Sequence, residues 1–523
     1  MVDYIIVGAG SAGCVLANRL SADPALQILV LEAGPSDQVL EVKIPAAFSK
    51  LFKTPRDWAL ETEPDPRCDQ RRHFWPQGRM LGGSSSLNAM IYMRGNRRDY
   101  DRWAAMGNRG WAYADLLPFF KRAENQHRGP DAFHGSGGPL DVDDLVEANP
   151  LSQAFVAAML ELGYPENRDF NAHEQDGAGL FQVTQRRGRR ASAATAYLKP
   201  ALKRPNLRVR TGARVNRVVI TGGRATGVVV DRGAREEIIS ARRAVIVSAG
   251  ALHSPALLLR SGIGPVADLR ALKIDPIIDA PDVGRNLQDH IIAGVSFSCT
   301  KPISLDRAET VGNLLRFIFR GEGPLTSNIA EAGAFIRTRP ELEQPDIQYH
   351  FAPAFFINHG LANPKGRFGF SIGATLIRPR SRGTLTLRSA HAGAPPRIEA
   401  GYFADPGDLE TLREGVRVAR RAGMTRAFDA YRGPEYLPGE GVVNDAAMDA
   451  HIRATCQTLY HQAGTCRMGS DAGAVVDPAL RVNGVAGLRV VDASIMPVLV
   501  AGNTNAPVIA IAEKAAELIA GEH

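Results

Sequence analysis

Cysteine is scarce in this 523-residue chain. Cys14, Cys68, Cys299, Cys456 and Cys466 are odd in number and scattered. That excludes a disulfide-built scaffold and suits free thiols in a reducing compartment. No Cys-x-x-Cys or His-Glu-x-x-His occurs, so neither a structural nor a catalytic metal is expected. No apolar run approaches the length of a membrane-crossing helix. No basic leader with a cleavage site precedes the first apolar segment. These absences point to a cytoplasmic protein and leave peripheral membrane contact open. Lysine is sparse too. Only 10 of the 62 basic residues are Lys, and the net charge of +7 rests on dispersed Arg. No basic stripe with interleaved aromatics exists, so nucleic acid is excluded as a partner. The densest basic run, Arg186 to Arg190, reads as a solvated loop.

What remains is a globular composition, 45% hydrophobic and 22% charged. The length exceeds one simple core, so two connected domains are expected. The first 32 residues carry a complete dinucleotide-binding fingerprint. Tyr4 to Val7 is a short apolar run of the kind a buried parallel strand needs. Gly8-Ala-Gly10-Ser11-Ala12-Gly13 follows, then a helical pattern over Ser11 to Leu20, then a second strand from Gln27 to Leu31 ending at Glu32. Gly8 allows the tight turn, Gly10 lets backbone approach a pyrophosphate, and Gly13 lets helix and strand pack closely. The helix N-terminus offers free N–H groups to phosphate. Glu32, 19 residues after Gly13, stands where a carboxylate accepts ribose hydroxyls. These features alone leave FAD, NAD and NADP as alternatives.

Three further segments narrow the choice. Gly78-Arg79-Met-Leu-Gly82-Gly83-Ser84-Ser85-Ser86-Leu87-Asn88-Ala89-Met90 continues to Arg94-Gly95-Asn96. Ser248-Ala249-Gly250-Ala-Leu-His-Ser254-Pro255 runs on to Ser261-Gly262-Ile-Gly264. Near the end stand His461-Gln-Ala-Gly464-Thr465-Cys466-Arg-Met468-Gly469, Asp492-Ala493-Ser and Gly502-Asn503-Thr504-Asn505-Ala-Pro507. In content and order they resemble the signatures and catalytic region of the glucose–methanol–choline (GMC) oxidoreductases, and most resemble the bacterial alcohol and choline dehydrogenase branch.

The resemblance implies an FAD enzyme with an α/β fold. A Rossmann-like FAD-binding domain would be interleaved with an α+β substrate domain built on an antiparallel sheet. The FAD domain is assigned to 1–150, 200–295 and 455–523, and the substrate domain to 151–199 and 296–454. FAD contacts are implied at Gly8, Gly10, Ser11, Ala12, Gly13, Glu32 and Ala33. In the first signature they fall at Arg79, Gly83, Ser84, Asn88, Ala89 and Met90. Others are Val215, Ala249, Asp492, Ala493, Asn503 and Thr504. Some relatives tether the flavin through a His directly before the signature Asn. Here that position is Leu87, so FAD is expected to be non-covalent.

His461 heads the Gly-Thr-Cys-x-Met-Gly run, and Asn505 follows it by 44 residues. By resemblance they form the catalytic pair. His461 accepts the hydroxyl proton of a primary alcohol, Asn505 donates to the developing alkoxide, and hydride passes to flavin N5. Oxygen, or a quinone or redox protein, would take the electrons. Pro507 is expected to open a helix from Val508 to Ala520 beside the flavin. His290 and His253 read as structural. Strands are expected at 332–338, 346–352, 369–377 and 384–388, and a helix at 412–422. Glu331, Phe351, Phe355 and Phe356 are taken as pocket residues, with Glu331 the candidate to balance a choline ammonium. The alternatives are a choline dehydrogenase or oxidase proper, a non-redox hydroxynitrile lyase on the same fold, and light-driven fatty-acid decarboxylation. A flavoprotein with a purely binding role is a further one.

Overall fold

The computed structural model describes residues 2–231 and 235–522. Two seven-stranded sheets organise it. In the first, Val2–Val7 is central, pairing in parallel with Ile28–Leu31 on one side and with the end of Glu236–Val247 on the other. Leu207–Arg210 and Leu488–Val490 extend the parallel part at its two sides. All six residues of Val2–Val7 are buried, as continuous apolar runs covered on both faces must be. Val215–Thr221 and Arg224–Asp231 add an antiparallel edge.

The strand order reverses beside Val2–Val7: the chain moves outward to Ile28–Leu31, then returns to its other side. The crevice at the carboxyl ends of these strands is where open α/β sheets bind ligands. Ser11–Leu20 starts there, Gly250–Arg260 leaves from it, and Asn505–Ala520 packs along Ser11–Leu20. That last helix begins two residues before Pro507 rather than at it. Pro507 is its third residue, where no backbone N–H is needed, and Asn505 itself sits in the first turn.

The second sheet is antiparallel. Ile291–Cys299, Gly369–Leu376, Ile347–Ala352, Ala332–Ile336 and Gly177–Leu180 run side by side. Arg432–Leu437 and Gln457–Thr458 pair with the outer edge of Ile291–Cys299. Pro406–Gly423 packs across one face. The strand expected at 384–388 is shorter, Thr384–Thr386, and forms a separate small ribbon with Arg397–Glu399. Among the described residues no helix is long and apolar enough to cross a membrane.

Candidate active site

The crevice of the first sheet opens into a cavity of about 1210 Å³ that reaches the face of the second. Every residue expected to touch the cofactor lines it except Gly13. Gly13 works from behind: a Cβ there would stand 1.9 Å from the Gly8 carbonyl oxygen, so only glycine lets the helix seat against the turn. Gly8 has φ +100°, and a Cβ would meet the Ser248 carbonyl at 2.5 Å. Gly10 is the opposite case, since a Cβ would meet no protein atom within 4 Å. Its missing side chain leaves room for a ligand.

The polar groups fit FAD as well. Glu32 lines the cavity with its carboxylate held by the Ala9 and Gly34 N–H groups at 2.9 and 2.7 Å, and burial pushes its pKa up. Asp492 accepts from Ser254 Oγ and from the Gly250 and Ser494 N–H groups, tying the Gly250–Arg260 helix to the crevice. Arg79 Nε, Ser248 Oγ and His253 Nε2 are buried on the cavity wall without hydrogen-bond partners among the described residues. Such groups require a ligand or water. His253 packs on Trp58 with ring centres 4.0 Å apart and ring planes tilted by 35°, so it packs, as expected, but does so at the cavity surface. Val215 also lines this end.

Arg190 corrects the expectation of a solvated loop. It is buried, and its guanidinium donates to the carbonyls of Val42, Ser85 and Asn88 and to Asn88 Oδ1. Burial pulls its pKa down to about 9. It braces the Gly83–Asn88 loop from behind, a role invisible in a run of arginines.

At the other end of the cavity the two sheets meet. Ile291 and Ile292 pair with Thr458 and Gln457, which brings His290 beside His461. Their Nδ1 atoms are 2.9 Å apart. His290 Nε2 lies 3.2 Å from the Ile377 carbonyl oxygen. A carbonyl only accepts, so His290 carries its proton on Nε2 and presents an Nδ1 lone pair. Burial pulls its pKa down to about 3, keeping the ring neutral. His461 must then donate from Nδ1, which leaves its Nε2 as the lone pair. Asn503 Nδ2, a donor, stands 3.4 Å from that Nε2, while Asn503 Oδ1 accepts from Gln348 at 3.1 Å. Burial, with the His290 and His350 rings nearby, holds His461 well below the ordinary imidazole pKa. Asp289 accepts the His461 backbone N–H at 3.0 Å. His290 is therefore not merely a core histidine. The signal that could have found it is the Asp-His pair, both members of which hold His461.

Asn505 also lines the cavity, while the amide that stands at His461 is that of Asn503. Ser11 Oγ donates to Asn505 Oδ1 at 2.7 Å, which turns the Nδ2 donor the other way. The Asn505–Ala520 helix has no side-chain cap, so its first N–H groups are free to face an anionic ligand edge.

The structure corrects three of the four proposed pocket residues. Glu331 is 1% exposed and does not line the cavity. It accepts from the Asn149 N–H, Ser152 Oγ and Ser327 Oγ at 2.6–2.7 Å, and so anchors the start of Pro150–Glu161. Phe351 points away because strand side chains alternate. Gln348 reaches Asn503, and His350 and Ala352 line the cavity. Tyr349 and Phe351 face the other side, where Phe351 stacks on Phe155 at 5.0 Å. Phe355 packs on Tyr436. Phe356 does line the cavity, 6.2 Å from Phe48. With Phe52, Leu87, Ile329 and Tyr460 these two make an apolar, aromatic wall. Residues 45–52 supply part of it without a motif to announce them. The His350 Nε2 atom is buried and without a hydrogen-bond partner among the described residues, and burial pulls its pKa down to about 3.

A dinucleotide crevice joined to a buried, neutral histidine pair under an antiparallel sheet fits a flavin-dependent oxidoreductase. The GMC oxidoreductase N-terminal and C-terminal family descriptions match residues 2–292 and 379–512, and the chain belongs to the GMC oxidoreductases. It is an FAD-dependent enzyme of the alcohol dehydrogenase or oxidase type. The oxygen-dependent choline dehydrogenase of Sinorhizobium fredii is 46% identical over 99% of this chain and 96% of its own length. The crystal structure of pyridoxine 4-oxidase from Mesorbium loti superposes with a TM-score of 0.92 at 36% identity, with both chains fully covered. A formate oxidase variant from Aspergillus oryzae RIB40 gives 0.93 at 29% identity, covering 100% of this chain and 98% of its own.

Proposed function

We propose that this enzyme oxidises a neutral primary alcohol with an apolar or aryl body to its aldehyde. The observation that carries the reading is the contact chain from the Ile377 carbonyl through His290 to His461, which leaves a neutral Nε2 base on the cavity wall. His461 Nε2 takes the hydroxyl proton as the alkoxide forms. Asn505 Nδ2 donates to that developing charge, its amide oriented by Ser11. Bound FAD supplies the acceptor for the hydride that leaves the alcohol carbon. Phe48, Phe52, Phe356 and Tyr460 exclude water and hold the apolar body. The FAD-holding part is assigned to 1–150, 200–295 and 455–523, and the substrate-holding part to 151–199 and 296–454.

Choline is the second reading, favoured by the name of the Sinorhizobium relative. Against it, Glu331 is spent on Asn149, Ser152 and Ser327. The described carboxylates on the cavity wall are Glu32, Asp57, Glu61 and Asp492, all from segments at the FAD crevice or its outer edge. The name of the pyridoxine 4-oxidase neighbour fits an aromatic alcohol better. Its reoxidant is assigned as oxygen, as the names of these proteins suggest, with a quinone or redox protein as the alternative. Free cysteines suit a cytoplasmic setting, and peripheral membrane contact stays open.

The test is an anaerobic titration of the purified holoenzyme with hexanol, benzyl alcohol and choline. Bleaching of the oxidised-flavin band by the first two, but not by choline, is expected. Bleaching by choline alone overturns the substrate class. A flavin that dithionite bleaches but no alcohol does points to the non-redox lyase.

A further inference from the structure

Sequence spacing argues against a metal, because the chain has no Cys-x-x-Cys or His-Glu-x-x-His. The fold overrides spacing at one place. Cys68, His73 and Cys456 are all buried, and one ligand atom from each lies within 4.8 Å of the others. Cys68 ends a short turn, His73 leads into the strand Phe74–Trp75, and Cys456 follows the helix Asp445–Thr455. The two cysteines are 388 residues apart in sequence, yet their Sγ atoms are 3.8 Å apart. Two thiolates about 2.3 Å from a tetrahedral zinc ion stand about 3.8 Å apart. His73 supplies the second, independent observation. It is 2% exposed, and neither ring nitrogen has a hydrogen bond of ordinary geometry among the described residues. The polar group it interacts with is the Cys68 thiol, and a metal ion would bind both in place of the thiol proton.

We propose that Cys68, His73 and Cys456 form a structural site for a thiophilic d10 cation, Zn2+ or Cu+. Two thiolates and one imidazole nitrogen are donors both ions accept. Binding Zn2+ releases the two thiol protons, and two thiolates neutralise the ion; water would complete a tetrahedral shell. Cu+ needs only the three protein donors, and the Arg71 guanidinium, 3.8 Å from Cys456 Sγ, would balance the remaining negative charge. The site joins two parts of the catalytic cavity. The segment from Trp58 to Gln77 lines its FAD side, and Gln457 to His461 carries the base. Arg71 already bridges them, donating to the Arg453 and Cys456 carbonyls at 2.9 and 3.0 Å. A metal would make that bridge firm, so its loss should loosen the holoenzyme without touching substrate.

The test uses the holoenzyme purified under reducing conditions without chelator. Elemental analysis should find one Zn or Cu per chain. After removal of the metal, Co2+ should restore a thiolate-to-cobalt charge-transfer band if the site is of the zinc type. Competition between the apo protein and a Cu+-specific chelator should reveal a preference for Cu+ otherwise. C68S, C456S and H73Q should each lose the metal, while C299S, whose thiol lies elsewhere, should keep it. If a variant fails to fold, protection of Cys68 and Cys456 from alkylation in the wild type by added Zn2+ or Cu+ reads the same site. A peptide cross-linked between Cys68 and Cys456 by a disulfide overturns the proposal. So does protein that holds no metal and binds none while both thiols are free.

Discussion

His290 and His461 face each other through their Nδ1 atoms, 2.9 Å apart, and only one of the two can carry the proton between them. The Ile377 carbonyl decides which one, because it claims the His290 Nε2–H. The lone pair of His461, the base of the proposed reaction, is thus set from two residues away. Partners that orient a metal-ligating imidazole are worth about 10–100-fold, and a partner that fixes the tautomer of a base is expected to act on the same scale. His290→Phe should lower kcat/KM by roughly that much with FAD content unchanged. His290→Gln, which can still accept, should recover part of it. Steady-state kinetics beside flavin absorbance checks both, and an unaltered kcat/KM in His290→Phe would sink this role.

The pH profile follows from the same burial. In the proposed reaction His461 is the neutral base, and its pKa lies below the ordinary imidazole value. Activity should be present above that lowered pKa and fall as pH drops through it. The acid limb of kcat/KM should therefore lie below pH ~6.5, the value for an unperturbed histidine. An acid limb at or above that value would show that the base is solvated during turnover.

Asn505 and Ser11 should behave as a unit. Removing a donor aimed at developing negative charge costs about 10²–10³-fold in kcat, so Asn505→Ala should approach that loss. Ser11→Ala should give a smaller loss, and little further loss when added to Asn505→Ala. Additive losses in the double variant would show that Ser11 acts on something other than the amide.

Gly10 and Leu87 test the cofactor. A Cβ on Gly10 meets no protein atom, so Gly10→Ala should fold normally yet be purified largely without FAD. Acid precipitation of the wild type should release its flavin into the supernatant, because Leu87 offers no atom for a covalent tether. Yellow colour retained in the pellet would refute that.

Glu331 and Phe356 separate pocket from scaffold. Glu331→Gln should leave the ratio of kcat/KM for choline and benzyl alcohol unchanged while lowering Tm, since a disrupted buried charged hydrogen bond costs about 1–3 kcal/mol. Phe356→Ala should do the reverse, raising KM for benzyl alcohol by about 10-fold or more with a small Tm change. A choline-specific defect in Glu331→Gln would restore the ammonium-binding role.

Much was legible in the chain itself because it is local. Gly8, Gly10 and Gly13 declare a turn, an approach and a packing contact within six residues, and the flanking apolar runs declare buried strands. The motifs at 78–90, 248–264 and 461–469 are legible for the same reason: backbone that must lie against a cofactor needs glycine and small polar residues at fixed offsets. What only the tertiary structure decided depends on partners far apart in sequence. Phe351 and His350 are adjacent, yet the pleat sends one to the core and the other to the cavity, and pairing of the sheet chooses the side. Glu331 looked like a carboxylate free for a cationic ligand until the fold brought Asn149, Ser152 and Ser327 to it. Arg190 looked solvated until the loop ending at Asn88 closed over it. His290 and His461, 171 residues apart, and Cys68 and Cys456, 388 apart, become neighbours only when remote strands and turns pack. Sequence periodicity reports which face of an element is apolar; it carries no record of which distant side chain that face will meet.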